Sequence, residues 1–208
     1  MLGSDDLTEA LGLAPVLVAA DGGANLALQI GQMPAAVIGD MDSIDSEARR
    51  RIPADRLHHL PEQETTDFDK CLRSIRAPLV LGVGFMGARL DHQLAAFHSL
   101  LCHPGRRCIL LGAEDIAFLL PMRLGLVLPE GTRLSLFPLA PGRVSGRGLR
   151  WPLDGLELRA GARIGTSNEV AGGAVDLAVD APGVLALLPR PVLGAAIDGL
   201  LASEPHPV

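Results

Sequence analysis

An N-terminal α/β domain built on a parallel sheet, followed by a smaller all-β sandwich, is the fold the sequence predicts, and three observations predict it. From residue 16 to about residue 111, short β-rich runs alternate with helix-like segments, the pattern of βα units. After about Pro121 the helices give way to short strands separated by Gly and Pro turns, as in a sandwich. Finally, the turn Gly39-Asp40-Met41-Asp42-Ser43-Ile44 carries two carboxylates where a strand passes into a helix. Ligands of open α/β sheets collect at such strand ends. The expected division is residues 1–120 for the α/β domain and 121–208 for the β domain.

Composition narrows the class. With 208 residues, 48% hydrophobic and 20% charged, the chain can bury a large core and is not disordered. Its net charge of -6 gives no electrostatic footprint for nucleic acid. Asp5, Asp6 and Glu9 exclude a basic signal-peptide start, and no uncharged apolar run is long enough to span a membrane. Cys71, Cys102 and Cys108 form no C-x-x-C pair. They are expected to be buried thiols in a reducing cytoplasm.

Taken in order, the strand candidates of the first domain are residues 16–20, 35–38, 57–60, 78–83 and 108–111, and the helices are 25–30, 44–51, 66–75 and 90–101. Asp21-Gly22-Gly23-Ala24-Asn25 ends the first strand, where glycines let backbone N–H groups approach a ligand and the next helix N-terminus favours an anion. In Gly39–Ile44, Ser43 is placed to cap the following helix. If strand geometry persists, Asp40 and Asp42 share a face, because side chains two apart do. Two close carboxylates repel unless a cation lies between them, and oxygen ligands suit Mg²⁺. The competing reading is a solvated acidic turn.

Gln63-Glu64-Thr65-Thr66-Asp67-Phe68-Asp69-Lys70 opens the third helix, and Thr66 with Asp69 resembles a capping box using Asp instead of Glu. Lys70 is the only lysine among eighteen basic residues. Lysine is a point-charge phosphate partner where arginine is a fork, so its presence among carboxylates suits a phosphate role.

Gly82-Val83-Gly84-Phe85-Met86-Gly87 matches the dinucleotide pattern G-x-G-x-x-G, with Glu114 and Asp115 as candidate ribose partners. Against NAD, the glycines run into Arg89, Asp91 and His92, and a carboxylate in the first turn opposes a bare pyrophosphate. His92, His98 and His103 fit no metal-ligand spacing. No Walker A sequence is present, so any triphosphate must be held by carboxylate-bound metal and helix N-termini.

In the β domain, residues 123–128, 132–137, 156–158, 174–179 and 183–188 are the strands, and 189–208 is a poorly determined tail. Trp151, the sole tryptophan, follows Arg150 and precedes Pro152. It is either a core anchor or an exposed stacking platform for a flat heterocycle. Gly165-Thr166-Ser167-Asn168-Glu169 offers short polar groups, or is simply a polar hairpin turn.

Taken in this order, Asp21–Asn25, Gly39–Ile44, Thr66–Lys70, Gly87–His92, Gly148–Trp151 and Gly165–Asn168 resemble the thiamine pyrophosphokinase family over nearly the whole chain. The resemblance implies an α/β catalytic domain, a C-terminal β-sandwich for thiamine binding and dimerisation, and a homodimer with active sites shared between subunits. It implies transfer of the pyrophosphoryl group of ATP to thiamine, giving thiamine diphosphate and AMP, with Mg²⁺. It assigns Asp40, Asp42 and Asp67 to the metal–phosphate centre. Asp21, Asn25, Lys70, Arg89, Asp91 and His92 fall to ATP, and Gln63, Trp151, Ser167 and Asn168 to thiamine. Asp67 or Asp69 is the implied proton acceptor.

The family usually opens with a further strand and a Gly-rich turn near the nucleotide. Only Met1–Ser4 stands in that place here, a departure from the family pattern that bears on ATP affinity and solubility. A nucleotide-sugar transferase using Asp-x-Asp, an NAD-binding protein and a non-catalytic thiamine- or nucleotide-binding dimer are the rival readings.

Overall fold

The computed structural model describes residues 4–87 and 89–207; Met1–Gly3, and Ala88 within the Gly87–His92 motif, lie outside the described residues. The chain divides into two compact units, one ending at Arg76 and the other beginning at Ala77.

The first unit runs α1 (Ser4–Leu13), β1 (Val18–Ala20), α2 (Gly23–Gln29), β2 (Ala36–Gly39), α3 (Ser46–Arg51), β3 (Leu57–His59) and α4 (Asp67–Ser74). Its three strands form a parallel sheet in the order β1-β2-β3, with Ala19 opposite Val37 and Val37 opposite Leu57. Parallel strands need helical crossovers, and the short apolar runs VAA and AVIG are strands buried within that layer. Ala19, Ala24, Leu28, Val37, Met41, Ala48 and Ile52 form the core of this unit. Asp21 and Asp40 immediately follow β1 and β2, and so sit at adjacent carboxyl ends of paired strands.

The second unit runs β4 (Val80–Val83), α5 (Leu90–Cys102), β5 (Cys108–Leu111), β6 (Asp115–Leu119), β7 (Arg123–Leu128), β8 (Arg133–Pro138), β9 (Gly142–Arg147), β10 (Leu153–Leu158), β11 (Gly165–Glu169), β12 (Gly173–Val179), β13 (Val184–Pro189) and α6 (Leu193–Ala202). A six-stranded sheet has the order β11-β8-β13-β6-β5-β4, and a four-stranded antiparallel sheet has the order β10-β9-β12-β7. Burial alternates strictly along β7, as expected of a strand with one face on the core. A methyl group on Gly142 of β9 would lie 3.1 Å from the Val184 side chain of β13, so the two sheets face each other there. Helix α6 packs on β7.

The strands near residues 80 and 110 were expected to extend the parallel sheet of the first domain. Instead β4 and β5 pair with each other in parallel, and β5 continues antiparallel into β6 and thence to β13. The most compact division falls at 76/77. Antiparallel β6 also ends the βαβ pattern that a dinucleotide fold needs, and Arg133 pairs with Asp115, one of the candidate ribose partners. Five elements escaped the sequence reading: α1, β6, β9, β11 and α6. The last is an apolar helix in what was read as an undetermined tail.

Of the three free cysteines, Cys71 and Cys108 are buried, and burial pushes both thiols up to about 12. Cys102 is exposed, contrary to expectation, with its Sγ 3.3 Å from His98 Nε2 one turn earlier on α5. Among the described residues no helix is long and apolar enough to cross a membrane.

Candidate active site

The centre of the first unit is a trio of carboxylates. Asp21, Asp40 and Asp67 each offer an oxygen, and these oxygens lie within 4.8 Å of one another. The first stands just past β1 and only 3% of it is exposed. Its backbone is held by Asp21 N–H donating to Ile38 (3.0 Å) and Ala24 N–H donating to Asp21 (3.0 Å), in a left-handed conformation with φ 39°. Such a conformation is uncommon outside glycine and costs about 1–2 kcal/mol. Asp21 Oδ2 accepts the N–H of Ser43 (3.1 Å), whereas the buried Oδ1 has no hydrogen-bond partner. Burial raises the pKa of Asp21; hydrogen bonds from Ser43 oppose the shift, and the charges of Asp67 and Asp40 add to it.

Gly39 makes the trio sterically possible. A Cβ there would lie 2.7 Å from Asp21 Cβ and 3.0 Å from Asp67 Oδ1, closer than side chains pack. Only a residue without a side chain lets these two carboxylates close over the end of β2.

Asp40 is held by two donors: Gln63 Nε2 to Oδ2 (2.5 Å) and Asp42 N–H to Oδ1 (3.3 Å). Those bonds, the one from Gln63 foremost, hold its carboxyl below the usual aspartate range. Gln63 was expected at thiamine, and the structure joins it to Asp40. Asp42 does not face the trio. Strand geometry breaks at Met41, whose φ is 64°, so the two-residue alternation that would have aligned Asp40 with Asp42 is lost. Asp42 is exposed and its Oδ1 accepts the Ser43 hydroxyl (2.8 Å). The geometric trio thus has Asp21 where the expected set of Asp40, Asp42 and Asp67 had Asp42.

Ser43 does not cap α3. Asp45 does, accepting from Ala48 N–H at 2.7 Å. Ser43 is otherwise engaged, because Asn25 clamps this loop to the start of α2. Asn25 Nδ2 donates to the Ser43 carbonyl (2.9 Å), and its Oδ1 accepts the Asp45 N–H (3.1 Å). Asn25, expected at ATP, is committed to the loop that carries Asp40.

Asp67 opens α4, where Thr66 caps the helix by accepting from Asp69 N–H (3.2 Å), as the sequence predicted. Lys70, one turn on and 1% exposed, donates from Nζ to Asp67 Oδ1 (3.0 Å). Burial alone would lower the pKa of this lysine. The bond to Asp67, with the charges of Asp67, Asp40 and Glu62, outweighs it and holds the ammonium above its usual range. Asp69 is buried on α4. Glu62, missed in the sequence, anchors the preceding loop. It accepts from Thr65 Oγ1 (2.6 Å), the Thr65 and Glu64 N–H groups and Arg73 Nη2 (2.6 Å), and is pushed down to about 2 chiefly by the Thr65 hydroxyl.

A buried carboxylate oxygen without a partner, within reach of two other carboxylates, is electrostatically unfavourable unless the carboxyl keeps its proton or a cation joins the group. The all-oxygen donor set fits a hard divalent cation.

The remaining candidates lie in the second unit. Arg89 and Asp91 form a two-pronged ion pair (2.7 and 3.2 Å), and Asp91 Oδ1 accepts the His92 N–H (2.9 Å). Gly87 N–H donates to Gln93 Oε1 (3.0 Å) ahead of α5. Trp151 is 52% exposed, which excludes the core-anchor reading, and the Arg150 guanidinium lies 5.0 Å from its ring centre. Residues 165–169 form strand β11, not a hairpin turn. Its register against β8 shifts between Gly165 and Asn168, and Ser167 takes a left-handed φ of 60° with its N–H on Ser135 Oγ (2.9 Å). That irregularity leaves Ser167 exposed and Asn168 buried.

The model of the thiamin pyrophosphokinase catalytic domain matches residues 7–110, and that of the thiamin pyrophosphokinase vitamin B1 binding domain matches residues 122–184. Thiamine pyrophosphokinase 2 of Oryza sativa subsp. japonica is 31% identical over 205 residues, covering 81% of this chain and 76% of the relative. Thiamine pyrophosphokinase 1 of Arabidopsis thaliana is 29% identical over 192 residues, covering 76% and 72%. Among solved structures, thiamin pyrophosphokinase from Candida albicans has a TM-score of 0.73 at 17% identity, covering 91% of this chain and 88% of that one. The enzyme from Bacillus subtilis has a TM-score of 0.69 at 23% identity, covering 84% and 86%. At these identities the structural likeness establishes the fold. Both halves of the sequence match their respective domain models in the expected order, and on that ground the chain belongs to the thiamine pyrophosphokinase family.

Proposed function

We propose that this chain transfers the pyrophosphoryl group of ATP to the hydroxyl of thiamine, giving thiamine diphosphate and AMP. The observation that carries the reading is the trio Asp21, Asp40 and Asp67 with its unpartnered buried oxygen, in a chain that has no Walker A loop. We assign Mg²⁺ to that trio; when bound, it neutralises phosphate charge and polarises the phosphoryl group. A bond forms between the thiamine oxygen and the β-phosphorus, and the bond from that phosphorus to the α,β-bridging oxygen breaks, so AMP leaves. Such a transfer asks the protein for alignment and charge neutralisation.

The residues divide the work. Lys70 fixes Asp67 and adds positive charge beside the trio, while Gln63 and Asn25 hold Asp40 and its loop in place. Asp67, within the trio, is better placed than buried Asp69 to take the hydroxyl proton. Arg89, Asp91 and His92 serve the nucleotide. The half-exposed Trp151 indole stacks on the thiamine pyrimidine, with Ser167 nearby in sequence to Asn168. Residues 1–120 thus carry the phosphate chemistry and 121–208 the thiamine platform.

The trio precedes Arg76 whereas Trp151, Ser167 and Asn168 follow Ala77, which together with the family resemblance supports a homodimer whose sites draw on both subunits. Three unbridged cysteines support a cytoplasmic location. The test is incubation with ATP, Mg²⁺ and thiamine, followed by identification of the nucleotide product. AMP and thiamine diphosphate in equal amounts are expected, and ADP as the product would remove the reading.

A further inference from the structure

Asn168 is only 7% exposed, and every hydrogen bond its amide makes runs to backbone. Its Oδ1 accepts the N–H of Trp151 (3.2 Å) and that of Glu169 (2.8 Å), which fills the oxygen. Its Nδ2 donates to the Trp151 carbonyl (2.8 Å). One side chain therefore grips Trp151 at both of its backbone groups. This needs an acceptor and a donor side by side, which among short side chains only asparagine supplies.

Trp151 lies between β9 and β10 outside any helix or strand, half of it faces solvent, and the Arg150 guanidinium stands over its ring. The segment before it is tied to the end of β11 by Arg150 N–H donating to the Glu169 carbonyl (2.8 Å), and just beyond that strand by the Leu149–Val170 bridge. Arg150 in turn pairs with Glu169 Oε1 (3.4 Å). The irregularity in β11 that turns Ser167 outward is what turns Asn168 inward toward this segment.

We propose that Asn168 is a positioning residue that acts on thiamine only through Trp151. It fixes the backbone from which the indole projects and so sets the plane of the stacking surface. A platform left mobile loses affinity because its ordering must then occur on binding. The inference rests on the reading of Trp151 as the thiamine platform, and it removes Asn168 from the residues that touch thiamine.

A double-mutant cycle tests it. The thiamine KM is measured in the unaltered protein, Asn168→Ala, Trp151→Ala and the double variant, together with the fluorescence anisotropy decay of Trp151, the only tryptophan. Each single variant is expected to raise the thiamine KM roughly three- to tenfold, the range that aromatic stacking supplies, with the ATP KM within about twofold. The double variant should match Trp151→Ala alone, because without the indole there is nothing left to position. Asn168→Ala should also speed the loss of indole anisotropy. A double variant whose KM rises by the product of the single effects, or an unchanged anisotropy decay, would overturn the positioning role while leaving the platform standing. An unchanged KM in Trp151→Ala would overturn the platform and this inference with it. Should Asn168→Ala not fold, Asn168→Asp gives the same comparison. It keeps both acceptor bonds and sets a carboxylate against the Trp151 carbonyl.

Discussion

Gly39→Ala is the smallest change that should disable the carboxylate trio. The added Cβ would lie 2.7 Å from Asp21 Cβ, 3.2 Å from Asp21 Cα and 3.0 Å from Asp67 Oδ1. Carbon atoms pack at about 3.5–4.0 Å, so Asp21 must retreat by about 1 Å. It cannot do so freely, because its N–H and carbonyl are both bonded, to Ile38 and Ala24, and its Oδ2 holds Ser43. Overpacking of this kind costs about 1–3 kcal/mol. For a unit of this size each kcal/mol lowers the melting temperature by about 4–8 °C. Misplacing a reacting group by about 1 Å lowers turnover by roughly 10²-fold. The assay is thermal melting with and without Mg²⁺, alongside the rate of AMP formation. Metal binding stabilises the folded form according to its affinity, so the Mg²⁺-induced rise in melting temperature should shrink in the variant. A full Mg²⁺ response with turnover within about threefold of the unaltered protein would refute the claim that Gly39 sets the trio.

Asp40→Asn should lower turnover by more than about 10²-fold and Asp42→Asn by less than about tenfold, since Asp42 lies outside the trio; equal losses in steady-state assays would place Asp42 at the metal. Burial raises the pKa of Asp21, so the folded, metal-free protein holds that proton more tightly than the unfolded chain. This contribution to stability is present below the unfolded pKa and is lost as pH rises through the folded one. The metal-free melting temperature should therefore fall from the aspartate range toward neutrality, and Asp21→Asn should flatten that slope, raise it at neutral pH by roughly 2–5 °C and abolish the Mg²⁺ response. An unchanged pH slope in Asp21→Asn would show that Asp21 is not the group responsible. Asp40→Asn and Trp151→Ala proteins, refolded together, should regain activity through heterodimers with one intact site. Heterodimers seen by mass spectrometry without that recovery would place both residues in the same subunit's site.

What the sequence made legible was local. Strand and helix alternation in residues 16–111 follows from apolar runs and turn residues, and Thr66 as a helix cap follows from its own side chain. The geometry at Met41 was not legible, because a left-handed residue is signalled by Gly, Asn or Asp and methionine carries no such signal. Its cause is tertiary. Met41 belongs to the core of the first unit and is 7% exposed. Burying a methionine side chain is worth about 1.5–3 kcal/mol, against about 1–2 kcal/mol for the left-handed backbone, so burial prevails. That outcome turns Asp42 outward and breaks the Asp-x-Asp alternation from which the metal set was first read. What Asn25, Asn168 and Gly39 touch was hidden for a related reason. Each acts on a partner far along the chain or across strands, and a motif names the residue without saying whether it touches the ligand or the residue that does. Asn25 and Asn168 illustrate that ambiguity in the same way. In both, the amide oxygen and nitrogen bond backbone groups, of the loop that follows Asp40 and of Trp151.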